Sequence, residues 1–253
     1  FYPSVGVVWL HGGVLEVYAL NALLLALLGW LLLAPRPQWR MAAFVTGLGL
    51  GAHATFPLLG AVLWGATLTQ HRTWRRVPGW LPWGLFGAAI LLYLPAAASR
   101  SPWLNWGDPS SLDGLVSHLT AAGIRDAFSE EMGVVGGDTL HAMTAWFSNA
   151  AGSFWPAALT LAVVGGAWVR ARSVWCILLA ACVADAAFSI LLNPMGQADL
   201  QTGMPGAWAL ATAFALVAGD VRDWGRMKGS PVLAAGVLVC MTFSVGSAQE
   251  DEV

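Results

Sequence analysis

The sequence has 253 residues, of which 57% are hydrophobic and only 10% are charged, and its mean hydropathy is +0.65. Soluble domains usually carry about 25% charged residues, so this composition excludes an ordinary soluble protein and predicts an all-α, polytopic transmembrane helical bundle. The net charge of −2 gives no sign of nucleic-acid binding. Cys176, Cys182 and Cys240 lie in apolar stretches, which favours neither a disulfide framework nor a metal site.

The first part of the chain predicts one partial and one complete membrane span. The chain begins with Phe1 in an apolar run that lacks the charged region of a signal peptide, and we interpret it as a fragment of a longer protein. Residues 1–10 are too few to cross a bilayer core, which needs about 20 residues. They would end a span that starts upstream, before an interruption at 11–13. Residues 14–34 are long enough to cross, and a proline-broken basic loop follows at 35–40.

Residues 41–70 form an apolar stretch with basic residues on both sides. Arg36 and Arg40 precede it, and Arg72, Arg75 and Arg76 follow it. Both clusters favour the cytoplasmic side, so two half-helices that turn back at 51–57 satisfy them better than a single crossing. A broken helix is tolerated in a membrane only where protein or water covers its backbone. The turn, which contains His53, is therefore expected to line a cavity on the outer side.

The next predicted elements are a span at 80–98 and an external loop at 99–150 with two amphipathic helices. Their apolar residues recur at helical spacing: Leu112, Leu115, Val116 and Leu119 in the first helix, and Leu140, Met143 and Phe147 in the second. Ser110 and Asp113 resemble a capping box at the start of the first helix. Both helices are expected to lie on or near the membrane surface, and residues 1–253 are expected to form a single transmembrane domain.

The remaining chain predicts four further spans. They cover residues 153–169, 174–192, 206–219 and 231–245, with an external loop at 193–205 and a basic turn that holds Arg222, Arg226 and Lys228. Ten of the twelve Lys and Arg residues then lie on the inner side, because only Arg100 and Arg125 fall outside. The positive-inside rule supports this orientation.

Several polar residues in or near these spans are candidates for a site. Asp185 is the one carboxylate in the middle of a predicted span, where insertion costs about 2.5 to 3.5 kcal/mol. It either joins helices through hydrogen bonds or has a role in a site. Glu16, close to Tyr18, is either an interfacial carboxylate or a cavity residue, and His53 is either a structural turn residue or a site residue.

Residues 105–109 (Asn-Trp-Gly-Asp-Pro) have the composition of a tight turn. Asp108 and His118 either belong to a solvated surface or contribute to a site. The helix predicted after the turn could hold a phosphate at its N-terminus, because free backbone amides and the helix dipole favour anions. A lipid-linked phosphate would suit that depth in the membrane.

Three stretches of the sequence together resemble one known family. They are residues 15–21 (Leu-Glu-Val-Tyr-Ala-Leu-Asn) after Trp9, residues 47–55 (Gly-Leu-Gly-Leu-Gly-Ala-His-Ala-Thr) with Pro57, and residues 104–109 (Leu-Asn-Trp-Gly-Asp-Pro) with 118–120 (His-Leu-Thr). The chain resembles the protein O-mannosyltransferase-like family of GT-C membrane glycosyltransferases, which are mostly bacterial and have a eukaryotic O-mannosyltransferase relative. The resemblance is close over the first half and looser beyond residue 150.

This resemblance implies an integral protein of the bacterial plasma membrane that acts on the non-cytoplasmic face. It would move a sugar such as mannose from a polyprenyl phosphate to a hydroxyl of a protein or glycan acceptor. The lipid-linked sugar would be the donor substrate, and no cofactor or metal would be needed. The implied substrate-binding residues are Glu16, Tyr18, His53, Asn105, Trp106, Asp108 and His118. The family's acidic motif is absent from the sequence, so no catalytic residue is assigned. The general base is expected upstream of Phe1, and the fragment alone could be inactive.

Two other functions fit some of the same features. A transporter would also have broken half-helices, an acidic residue within a span and a polar cavity, although the sequence has no internal repeat. A non-catalytic membrane scaffold is the third possibility.

Overall fold

The computed structural model describes residues 17–53, 55–102, 105, 107–120, 122–127, 137–151, 159–160, 162–163, 165, 169–193 and 203–228. Every regular element within these residues is helical, in agreement with the predicted all-α class. Two helical stretches, Leu81–Ala98 and Arg172–Leu191, are long and apolar enough to cross a membrane, and Ala19–Leu33 is apolar but shorter. These three stretches coincide with the spans predicted at 80–98, 174–192 and 14–34.

The chain divides into two compact units. One comprises Leu20–Val134, and the other comprises Phe1–Ala19 together with Val135–Val253. The boundary at residue 134 lies inside the predicted external loop, so the two surface helices of that loop belong to different units. We call Leu20–Val134 the first unit and the remainder the second unit.

The first unit is built from short helices. They are α1 (Val17–Leu33, of which residues 20–33 lie in this unit), α2 (Trp39–Gly49), α3 (Thr55–His71), α4 (Leu81–Ala88), α5 (Tyr93–Ala98), α6 (Leu112–Leu119) and α7 (Ala122–Ala127), with 3₁₀ turns at Trp74–Gly79 and Ala89–Leu92. The 3₁₀ turn between α4 and α5 precedes Pro95, which has no amide hydrogen to donate to the carbonyl of Leu91. Residues 81–98 nevertheless form one continuous helical run.

Helices α2 and α3 form the predicted antiparallel pair of half-helices. Trp39, at the start of α2, contacts His71, at the end of α3, with ring centroids 5.7 Å apart. Farther along, Trp64 Nε1 donates a hydrogen bond to Thr46 Oγ1 at 2.8 Å. Helix α2 ends at Gly49 and α3 begins at Thr55, so the break overlaps the turn predicted at 51–57 but ends earlier. It brings both arginine clusters to one end of the unit. We call this the basic end and the opposite one the polar end.

The other helices of the first unit alternate in direction. Helix α1 runs parallel to α3, because Asn21 contacts Thr55 and Leu28 approaches Gly60. Helix α4 runs parallel to α2, where Gly47 lies against the backbone of Gly84 and Ala88. The α2–α3 break and the C-terminus of α5 therefore lie at the polar end, together with Asn21 near the start of α1.

The second unit contains α8 (Gly137–Ala151), α9 (Arg172–Leu191) and α10 (Met204–Lys228). Helices α9 and α10 are antiparallel: the backbone N–H of Arg170 donates to Asp220 Oδ2 at 2.8 Å, and Arg170 Nε lies 3.9 Å from Oδ1. The basic turn predicted after residue 219 is wrong, because α10 continues as a helix through Lys228. Nothing in this segment stops a helix before Pro231, since single glycines cost a helix only about 1 kcal/mol each.

The two amphipathic helices of the predicted external loop expose their apolar stripes. Leu112 on α6 is 78% exposed and Phe147 on α8 is 58% exposed, whereas Trp146 and Ala150, on the opposite face of α8, are buried. The stripes are thus available to a membrane surface, as expected. Helix α6 is capped by Ser111, whose Oγ accepts from the amide of Gly114 at 3.0 Å.

The predicted capping box of Ser110 with Asp113 is therefore wrong by one residue. Gly107 and Asp108 have positive φ values of 71° and 37°, so the turn ends later than the sequence pattern indicated and Ser111 takes the extended cap conformation. The predictions for residues 1–13, 194–202 and 231–245, and for most of 153–169, lie outside the described residues.

Candidate functional site

A chain of hydrogen bonds joins α1 to the α2–α3 break at the polar end of the first unit. Asn21 Nδ2 donates to Thr55 Oγ1 at 2.9 Å, and Thr55 Oγ1 lies 2.9 Å from His53 Nδ1. The backbone N–H of Thr55 also donates to His53 Nδ1, at 3.3 Å. Asn21 and Thr55 are buried and His53 is half-buried, so the chain runs from the interior of the unit toward its surface.

The direction of each hydrogen bond follows from the backbone donor. Because the Thr55 amide donates to His53 Nδ1, this nitrogen is unprotonated and the neutral imidazole carries its proton on Nε2. The Thr55 hydroxyl must then donate to Nδ1 and accept from Asn21 Nδ2. The arrangement fixes both the tautomer and the orientation of His53.

These hydrogen bonds leave one strong acceptor buried in the first unit. With its amide nitrogen bound to Thr55, Asn21 presents Oδ1, and this atom has no hydrogen-bond partner among the described residues although Asn21 is only 3% exposed. An unpaired buried carbonyl oxygen typically costs about 1 to 3 kcal/mol. Such a group in a polar cluster is a candidate for binding a donor such as a hydroxyl.

The loop before α6 forms a second cluster at the same end. Asn105 Nδ2 donates to Asp108 Oδ1 at 2.8 Å. Gly107, in the left-handed conformation, lies against the ring of His118, since a β carbon there would be 3.1 Å from Nδ1. The turn thus brings Asn105 and Asp108 close to His118 of α6, and the left-handed conformation of residue 107 favours glycine.

This second cluster is poorly suited to holding a phosphate. The amide of Gly114 is already bound by the cap residue Ser111, and Asp113 places a carboxylate in the first turn of α6. Asp108 adds another acidic group beside the same turn. Carboxylates at a helix N-terminus compete with an anion for the free amides and the helix dipole, so hydroxyl recognition fits this loop better than the expected phosphate.

The two clusters are linked by packing around the α2–α3 break. A β carbon at Gly51 would lie 2.5 Å from Leu91 Cδ2 and 3.9 Å from Leu119 Cδ2. Gly51 is two residues from His53, and Leu119 follows His118 directly. The C-terminus of α6 therefore lies beside the break that carries His53.

Three predicted site residues cannot be placed in these clusters. Glu16 and Trp106 lie outside the described residues, and Tyr18 belongs to α1 in a part of the chain whose side chains are not described. Asn21 and Thr55, in contrast, belong to the stretches that carry the family resemblance but are not among the predicted site residues. The sequence feature that could have identified them is a polar side chain within an otherwise apolar segment.

Asp185 forms a separate buried cluster in the second unit. Its Oδ2 accepts from Trp146 Nε1 at 2.9 Å and from the backbone N–H of Gly206 at 3.0 Å. The carboxylate thereby joins α8, α9 and the first turn of α10. Of the two interpretations left open by the sequence, the structural one agrees with these contacts, although Oδ1 has no partner in the described part of the chain.

Gly203 and Gly206 make room for this junction. Gly203 has a positive φ of 90°, and a β carbon there would lie 2.9 Å from the backbone nitrogen of Ala150. A β carbon at Gly206 would lie 2.9 Å from Asp185 Oδ2. Small residues at both positions allow α10 to begin directly against α8 and the Asp185 carboxylate.

No group of three or more His, Cys, Asp or Glu side chains suited to a metal ion occurs among the described residues. Comparisons with protein-family models, with curated proteins and with solved structures find no match to this chain.

Proposed function

We propose that the chain belongs to a GT-C-type membrane glycosyltransferase that resembles the protein O-mannosyltransferases. In this proposal it acts at the outer face of the bacterial plasma membrane and transfers a sugar, such as mannose, from a polyprenyl phosphate to a hydroxyl of a protein or glycan acceptor. The first unit supplies residues that recognise hydroxyl groups at its polar end.

One observation carries the proposal. Two sequence stretches that support the family resemblance meet through direct hydrogen bonds, since Asn21 comes from the first and His53 and Thr55 come from the second. The third stretch, with Asn105, Asp108 and His118, lies at the same end. A transferase site needs polar motifs from distant parts of the sequence to converge in this way, whereas a non-catalytic membrane scaffold does not.

Each cluster has a chemical role in this proposal. His53, oriented by its contacts with Thr55, lines the site for the sugar or the acceptor. Asp108, oriented by Asn105, accepts from an acceptor hydroxyl. The general base is left unassigned, and Glu16, Tyr18 and Trp106 stay as proposed contributors to substrate binding.

The Asp185 cluster favours the transferase over a transporter. A carboxylate that serves translocation is expected to face a cavity or a coupling ion, whereas Asp185 Oδ2 is bound by an indole and by a backbone amide. These contacts are those of a structural junction.

The test is sugar transfer from a radiolabelled polyprenyl-phosphate mannose by membranes that contain the full-length protein. We expect His53→Ala and Asp108→Ala to lower transfer about 5- to 150-fold, since each removes a hydrogen-bonding group of the kind that usually contributes about 1 to 3 kcal/mol. Protein levels in the membrane should stay unchanged.

Matched control variants use the same residue types elsewhere in the first unit. His71→Ala removes an exposed histidine at the basic end, and Asp113→Ala removes an exposed carboxylate from α6. Both should retain transfer. Equal transfer by all four variants would exclude His53 and Asp108 from the site, and absence of transfer by the unmodified protein with any polyprenyl-phosphate sugar would contradict the function itself.

A further inference from the structure

The basic end of the first unit carries a second surface with a chemistry of its own. We propose that this surface, formed by Arg36, Arg40, Arg72, Arg75 and Arg76, binds the headgroups of anionic phospholipids in the adjacent leaflet. The inference does not depend on sugar transfer, because it uses only the opposite end of the unit.

The fold gathers these arginines from two separate segments of the chain. Arg36 and Arg40 flank the start of α2, and the other three follow the end of α3, which the antiparallel pairing places beside it. All five residues are exposed. A concentration of four to eight basic residues directly beside a membrane span is typical of surfaces that bind acidic lipids.

Acidic residues are scarce in the part of the sequence that forms this surface. The sequence contains no Asp or Glu between Glu16 and Asp108, and Asp108 lies at the polar end. Among the described residues, none of the five arginines makes an ion pair. The positive charge is therefore left for an external anion.

Tryptophans around the arginines place the surface at the depth of lipid headgroups. Trp39 and Trp80 stack with ring centroids 4.7 Å apart, and Trp64 lies against both of them. The guanidinium of Arg40 lies 6.0 Å from the ring centre of Trp83, and Trp74 is 54% exposed. Tryptophan is enriched at membrane interfaces, where its ring is partly apolar and its N–H is hydrated. A lipid headgroup thus fits this surface better than a soluble anion.

Arg72 occupies a backbone position that normally takes glycine. It has a positive φ of 54° at the C-terminus of α3, where Arg72 N donates to Thr69 O and Thr73 N donates to Leu68 O. This pair of hydrogen bonds defines a Schellman motif, in which the left-handed residue is usually glycine. An arginine there has a conformational cost, which its side chain would offset by binding an anion.

The experiment compares lipid binding by the detergent-solubilised full chain, measured by native mass spectrometry with phosphatidylglycerol and phosphatidylcholine of identical acyl chains. We expect tighter binding of phosphatidylglycerol and a loss of about fivefold in its affinity for each arginine removed, as in Arg36→Gln/Arg40→Gln and in Arg75→Gln/Arg76→Gln. Phosphatidylcholine binding should stay constant, and added salt should weaken only the phosphatidylglycerol interaction.

Arg100→Gln is the matched control, since Arg100 is exposed at the far end of the 81–98 run. It should leave phosphatidylglycerol affinity unchanged. An equal loss in this variant, or equal binding of the two lipids by the unmodified chain, would overturn the proposal. Complete displacement of phosphatidylglycerol by millimolar inorganic phosphate would also overturn the proposal, because the surface would then be a site for free anions.

Arg72→Gly separates binding from folding. Glycine relieves the left-handed conformation, so the variant should unfold at the same temperature as the unmodified chain or at a higher one, while phosphatidylglycerol affinity falls about fivefold. A variant that keeps its full affinity for phosphatidylglycerol would remove Arg72 from the surface.

Discussion

Buried polar side chains determine how the helices of each unit are joined, and Asp185 is the clearest case. It is 1% exposed, and its Oδ2 accepts from both Trp146 and Gly206. We predict that Asp185→Ala lowers stability by about 1 to 3 kcal/mol for each of the two donors left unpaired. Asp185→Asn should lower it much less, since the amide oxygen can still accept from both. Thermal unfolding of the solubilised protein measures the difference.

A structural role for Asp185 also predicts how replacing its partner Trp146 changes stability. Trp146→Phe keeps an aromatic ring but removes the indole donor, so it should have a smaller effect than Asp185→Ala. If Asp185→Asn proved as destabilising as Asp185→Ala, the hydrogen bonds to Oδ2 would not explain the burial of this carboxylate.

Thr55 is the central member of the polar chain in the first unit. Thr55→Val preserves the shape of the side chain but leaves Asn21 Nδ2 buried without an acceptor, so we expect a loss of about 1 to 3 kcal/mol. Thr55→Ser should restore most of the stability, because serine also carries a hydroxyl. Chemical denaturation in detergent checks both values.

The double variant Asn21→Leu/Thr55→Val tests the pairing itself. Replacing both polar partners by apolar groups is usually less costly than removing only one. We therefore expect the double variant to be more stable than Thr55→Val alone. A strictly additive loss would show that the two side chains do not depend on each other.

At the scale of helices, close approach of backbones holds α2 against α4. A β carbon at Gly47 would collide with the carbonyl oxygen of Gly84 and lie 2.6 Å from the nitrogen of Ala88, and one at Gly87 would collide with the carbonyl oxygen of Phe44. Small residues that allow such contacts are common between membrane helices. We predict that Gly47→Ala and Gly87→Ala each cost about 1 to 3 kcal/mol by forcing the helices apart.

Gly65→Ala is the matched control for these two substitutions. Gly65 lies inside α3, and a β carbon there has no neighbour within 4 Å. Since alanine favours a helix over glycine by about 1 kcal/mol, this variant should unfold at a slightly higher temperature. Similar destabilisation by all three substitutions would mean that helix propensity, rather than backbone contact, governs these positions.

The sequence predicts the helical pairing better than the local ends of helices. The α2–α3 break follows from arginines on both sides of one apolar stretch, because charge placement acts over the whole span. The start of α6 was misplaced by one residue, because positive φ values at Gly107 and Asp108 lengthen the turn. The end of α10 also differs from the prediction, since a cluster of basic residues predicts a loop but is equally compatible with a helix.

The partners of buried polar residues could not be predicted from sequence. Asn21 and Thr55 are 34 residues apart, and Asp185 pairs with Trp146 across 39 residues. Such pairings depend on which helix faces are adjacent, and helical spacing alone does not specify adjacency. The sequence indicated only that Asp185 needed a partner, which the contacts with α8 and α10 supply.

For the first unit as a whole, the proposed function requires that its two ends face opposite sides of the membrane. The polar end carries His53 and the loop before α6, while the basic end carries five arginines and favours the cytoplasmic side. Ser110 is exposed at the polar end, and Gly79 is exposed at the basic end with open space around it. Both positions can accept a cysteine without loss of an arginine.

We predict that a membrane-impermeant maleimide labels Ser110→Cys in intact cells and labels Gly79→Cys only after permeabilisation. The native cysteines, Cys176, Cys182 and Cys240, are first replaced by alanine to remove background. Labelling of both variants in intact cells would contradict a transmembrane arrangement of the unit. Labelling of Gly79→Cys alone would reverse the orientation, and the hydroxyl-binding residues would then face the cytoplasm, where an outward-acting transferase could not use them.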